Sequence, residues 1–147
     1  MTSQYAFRAV QMDLARQMEP LPEIKKFIDI IAQNGYNTLF LYLEGRVRTE
    51  SFPYPAASEC YTPEEMRELV DYAASKKIDI VPGLSCLGHA ELFLKHEAMT
   101  ETAELRDGRN GRFWKNEKMV FCPSQPATRN FLEKYITEIS EIFPGKY

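Results

Sequence analysis

The chain has 147 residues, 44% of them apolar and 27% charged, with a formal net charge of −3. That is enough for one domain with a buried core. It supplies neither the basic stripe that nucleic acid requires nor the roughly 18-residue apolar run of a membrane span. The first residues, MTSQYAFRAV, lack the apolar stretch of a secretory signal, which points to a cytoplasmic protein or to a piece of a longer chain. Cys60, Cys86 and Cys122 are odd in number and widely spaced, so reduced thiols are expected rather than disulfides or a zinc site.

The first predicted strand is FRAVQMDLA, residues 7–15, ending in Asp13 and Arg16. Its alternation puts Phe7, Ala9 and Gln11 on one side and Arg8, Val10 and Met12 on the other. A helix follows Pro20 and Pro22, with Leu21, Ile24, Phe27, Ile28 and Ile31 at helical spacing and a stop at Asn34-Gly35. NTLFLYLEG, residues 37–45, is a nearly continuous apolar run, as suits a strand covered on both faces. A second helix opens at Thr62, which with Pro63 and Glu65 spells a capping box, and runs to Lys76-Lys77. The third strand is IDIVPGL, residues 78–84, and HAELFLKHEAM reads as a short helix. Residues 100–122 are charged and aperiodic and read as a long loop with a small hairpin around Asn110-Gly111. The last helix starts near Ser124–Pro126, carries Phe131, Leu132, Tyr135, Ile136, Ile139 and Phe143 on one side, and ends at Pro144-Gly145.

Strands alternating with helices predict an α/β fold with parallel pairing. No GxGxxG or GxxxxGK[ST] follows a strand, which argues against nucleotide binding. A closed (β/α)8 barrel takes about 250 residues; only three strands are legible here, with a helix leading toward a fourth.

Ligands of α/β proteins bind at the carboxyl ends of the strands. Asp13, Glu44 and His89 fall there on successive strands. Buried carboxylates and imidazoles are costly unless paired, so their recurrence suggests a shared polar site. Each also has a plain reading: Asp13 as a structural partner of Arg16, Glu44 as a solvated turn residue, His89 as a residue of the following helix start. Arg8 stands inside an apolar strand, where a guanidinium needs a carboxylate or a ligand such as vicinal sugar hydroxyls; an exposed N-terminal strand residue is the alternative. His89 and His96 with Asp13 or Glu44 could also be read as a metal-dependent hydrolase, but no HxH or HExxH is present.

FRAVQMDLAR, NTLFLYLEG, YTPEEMRELVDYAASKKIDIVPGLSCLGHAE and FLEKYITEISEIFP, in this order, resemble glycoside hydrolase family 20, the β-N-acetylhexosaminidases. The resemblance implies that residues 1–147 are the N-terminal part of a (β/α)8 catalytic barrel, a partial TIM barrel of about three βα units. It implies that Arg8 binds hydroxyls of a terminal N-acetylhexosamine. Glu44 and His89 would support the general acid through hydrogen bonds, and Asp13 would be structural. LYLEG resembles the branch whose second strand ends in Glu-Asp, but Gly45 stands in place of the second acid. The family acts by substrate-assisted retention, without metal or cofactor, on glycans containing N-acetylglucosamine or N-acetylgalactosamine. Its Asp-Glu pair follows a fourth strand, so the isolated chain is expected to be inactive. Trp114 would contact a distal sugar or pack on its own domain. The open edges of the first and third strands predict a homo-oligomer. A non-catalytic carbohydrate-binding or interaction module is the rival reading.

Overall fold

A computed structural model describes residues 5–106, 110–112 and 118–147. Trp114 lies outside the described residues, as do both flanks of the hairpin expected around Asn110-Gly111.

Three parallel strands, β1 (Ala9–Asp13), β2 (Thr38–Tyr42) and β3 (Asp79–Gly83), form a sheet in the order β1-β2-β3. Gln11, Phe40 and Val81 share one row of the register; Met12, Leu41 and Pro82 share the next. Helix α1 (Leu21–Gln33) links β1 to β2, and α2 (Pro63–Ser75) links β2 to β3. The short α3 (Glu91–Leu94), a 3-10 turn at Glu97–Thr102 and the long α4 (Pro126–Ile142) complete the chain.

Period-two alternation decides which face is buried. Leu39, Leu41 and Leu43 point toward the helices and are fully buried with Ile24, Ile28, Met66, Leu69 and Ala73. The opposite face carries Ala9, Gln11, Asp13, Phe40, Tyr42 and Val81, all exposed or half-buried. The strands therefore present a dry face to the helices and an open face on the other side.

The starts of α1 and α2 follow from the sequence. Pro22 of α1 and Pro63 of α2 sit in first turns, where the amide hydrogen that proline lacks has no helical partner anyway. Thr62 Oγ1 accepts from the amide of Glu65, and the Glu65 carboxylate accepts from the amide of Thr62 at 2.7 Å, closing the capping box. After α1, Gly35 takes a left-handed φ of 79° at no steric cost; after α2, Lys77 takes one of 61° and bears that cost.

Three expectations are corrected. The strands are shorter than the apolar runs that announce them: Leu14 and Leu43 lie beyond the strand ends yet are fully buried, so apolar character outlasts the strand. Residues 100–122 are not simply a loop: Ala103 and Phe121 form an antiparallel bridge, and both are fully buried. The helix expected over 89–99 is divided between α3 and the 3-10 turn, with His96 between them.

Candidate functional site

The carboxyl ends of the strands gather a charged cluster with Arg16 at its centre. Arg16 Nη1 donates to Glu44 Oε1 at 2.6 Å, and Nη2 lies 3.2 Å from His89 Nδ1. Asp13 Oδ2 is 3.7 Å from Nη1, and the guanidinium stands over the Tyr42 ring at 5.3 Å. The contact with Tyr42 raises the Arg16 pKa, burial opposes it, and the charges of Glu44 and then Asp13 add to the rise, which is the net direction. Arg16 is thus a permanent cation shared by residues from three βα junctions.

Glu44 is 4% exposed, so its carboxylate has left bulk water and needs the partner that Arg16 supplies. His89 is exposed and lies at the rim. Both residues have left-handed backbones, with φ of 47° at Glu44 and 54° at His89. Such a conformation costs a non-glycine residue about 1–2 kcal/mol and persists where the surroundings over-determine it, as at functional sites. At Glu44 the surroundings can be named. Tyr135 of α4 is completely buried and shares its hydroxyl proton between the carbonyls of Glu44 (3.4 Å) and Val47 (3.2 Å).

The β1–α1 turn is equally fixed. Asp13 Oδ1 accepts from the amides of Ala15 and Arg16, while Arg46 donates twice to the Ala15 carbonyl, at 2.8 and 3.3 Å. Asp13 therefore shapes the turn that presents Arg16.

Arg8 is not brought to this rim. It precedes β1, at the amino end of the sheet, five residues from Asp13 along the strand, or roughly 16 Å at 3.3 Å per residue. Its guanidinium donates to the carbonyls of Gly35 and Tyr5. Backbone oxygens, rather than a ligand, meet the need that the sequence reading raised. The residue that sequence reasoning missed is Arg16. Its only local signal was an arginine just past a strand-end aspartate.

A metal centred on His89, Glu44 and Asp13 does not fit this arrangement, because the Arg16 guanidinium already stands among those groups as a competing positive charge. His96 belongs elsewhere. Its ring meets Phe52 edge-on at 5.5 Å, and its Nε2 is buried without a hydrogen-bond partner among the described residues. Burial, then the charge of Lys95, pulls the His96 pKa below the usual histidine value, against a smaller upward pull from Glu59. Below that usual value the unfolded chain binds the proton more readily than the folded one, so stability is lost as pH falls. His96→Phe is expected to flatten the decline in melting temperature between roughly pH 7 and pH 5; an unchanged slope in thermal melts would refute this.

Parallel strands alternating with helices define an α/β fold, and its polar cluster stands at the carboxyl ends of those strands, where ligands of α/β proteins bind. Residues 5–147 match the family model for the glycosyl hydrolase family 20 catalytic domain, and the chain belongs to that family. A beta-hexosaminidase of Akkermansia muciniphila is 30% identical over 96% of this chain and 32% of its own length. Human beta-hexosaminidase subunit beta is 26% identical over 97% of this chain and 27% of its own length. The structure of a Streptomyces plicatus beta-hexosaminidase with product N-acetylglucosamine superposes with a TM-score of 0.77 at 25% identity. It covers 98% of this chain and 32% of the Streptomyces chain. This chain thus spans about a third, or less, of the proteins it matches.

Proposed function

We propose that the chain forms the N-terminal portion of the (β/α)8 barrel of a retaining exo-β-N-acetylhexosaminidase. The observation that carries this reading is the meeting of Glu44 and His89 on Arg16 at the carboxyl ends of parallel strands in a family 20 chain. The open sheet face then becomes barrel interior. The substrate's acetamide oxygen attacks C1, a general acid donates to the leaving oxygen, and water later opens the oxazolinium intermediate with retention. Glu44 and His89 do not perform these steps; they support the acid. Arg8, at the far end of β1, has no part in this network.

No adjacent Asp-Glu pair occurs in the 147 residues, so the chain alone is expected to release no chromophore from a chromogenic N-acetyl-β-glucosaminide. Grafted in place of the matching segment of the Akkermansia enzyme, it is expected to support turnover. Glu44→Ala in that chimera is expected to lower kcat by about 10²-fold. A folded but inert chimera, or an active isolated chain, would overturn the assignment.

β1 and β3 are the outer strands of the sheet, and unpaired edges recruit other chains. The isolated chain is therefore expected to self-associate. A monomer at high concentration in sedimentation equilibrium would contradict this.

A further inference from the structure

We infer that Arg16 is a positioning residue that fixes which nitrogen of His89 bears hydrogen and holds that ring in register with Glu44. A guanidinium has five N–H donors and no acceptor. The ring nitrogen facing it must therefore offer a lone pair. Nδ1 is that nitrogen, 3.2 Å from Nη2, so in the bound form Nδ1 carries no hydrogen and Nε2 does. The other arm of the same planar fork is spent on Glu44 Oε1 at 2.6 Å. Because the fork is rigid, the two contacts set one another's angle. The base of Arg16 is fixed as well: Asp13 accepts from its amide, Arg46 grips the preceding carbonyl, and Tyr42 lies under the guanidinium.

The consequence is chemical. His89 presents an N–H to the rim, so it recognises an oxygen acceptor rather than removing a proton. On the reading of this rim as a hexosaminidase site, that acceptor is a carboxylate or sugar oxygen, and Arg16 acts on it only through His89 and Glu44.

Nitrogen-15 spectra of histidine-labelled chain test this, since a bare ring nitrogen and one bearing hydrogen resonate far apart. The chain has two histidines, and His96→Phe assigns the signals. The expected spectrum shows His89 with Nδ1 bare and Nε2 protonated. In Arg16→Met no donor reserves the Nδ1 lone pair, and the ratio of the two tautomers is expected to fall about fivefold, a charged hydrogen bond discounted for the exposure of Arg16. Arg16→Gln, whose amide can accept as well as donate, is expected to shift the ratio the same way; it decides the question if the methionine variant does not fold. Hydrogen on Nδ1 in the wild-type chain, or an unchanged ratio in a folded Arg16→Gln, would overturn the inference. Titration with N-acetylglucosamine tests the sugar-site reading separately, because the tautomer is measured without it.

Discussion

Phe52→Ala is expected to cost about 3–5 kcal/mol, the usual range for deleting a buried aromatic ring. Phe52 lies between β2 and α2 yet is fully buried, and it touches five other rings. Phe93 of α3 is nearest at 4.7 Å; Phe131 and Tyr135 of α4 stand edge-on at 6.1 Å; Tyr54 and His96 close the outer side. One ring thus joins a loop, a short helix and the long last helix. Its removal leaves a cavity among stiff aromatics that cannot collapse easily, and it loosens Tyr135, whose hydroxyl holds the Glu44 carbonyl. Phe52→Leu, which fills more of the space, is expected to cost about 1.5 kcal/mol. Tyr54→Ala, at a half-exposed position, is expected to cost about 1 kcal/mol or less. Urea midpoints measure all three. Equal losses for Phe52→Ala and Tyr54→Ala would show that the cluster is not centred on Phe52.

Local signals carried most of the architecture. The alternation in AVQMD and the run LFLYL announce strands because burial on one or both faces writes itself into adjacent residues. Thr62, Pro63 and Glu65 announce a helix start because all the atoms of a capping box lie within four residues. The site was legible only in part. Asp13, Glu44 and His89 could be placed by position at strand ends. Arg16 could not be recognised as their common partner, since its bonds to Glu44 and His89 span 28 and 73 residues and exist only once three strands lie side by side. Arg8 misled for the opposite reason. An arginine beside apolar neighbours implies a partner, but the partners are two backbone carbonyls, which leave no mark in sequence. Phe121 shows the same limit: an aromatic at the end of a charged stretch, fully buried with its ring against Phe93 of α3 and Phe131 of α4.

Gly45→Asp is expected to destabilise the chain by about 3–5 kcal/mol, although the related branch of the family carries an acid at this position. Gly45 is buried, with no backbone conformation that requires glycine. What excludes a side chain is space. A Cβ there would come within 3.3 Å of Leu92 Cβ and of the Phe52 ring, and 3.4 Å from the Phe93 ring. Gly45→Ala forces those neighbours apart by a few tenths of an ångström and is expected to cost about 1–3 kcal/mol. An aspartate would add a carboxylate pressed among apolar groups, whose charged form is penalised by lost hydration. Its pKa would rise above the unfolded value, so the excess cost of Asp over Ala should shrink as pH falls toward about 4, where the unfolded carboxyl also protonates. Urea denaturation of both variants at two pH values measures this. If Gly45→Asp proved no worse than Gly45→Ala at neutral pH, the carboxylate would have reached water or Arg16, and a second acid could be restored to the rim. The expected result is that Phe52, Leu92 and Phe93 have taken the room that acid would need, leaving Glu44 as the one carboxylate that β2 delivers to Arg16.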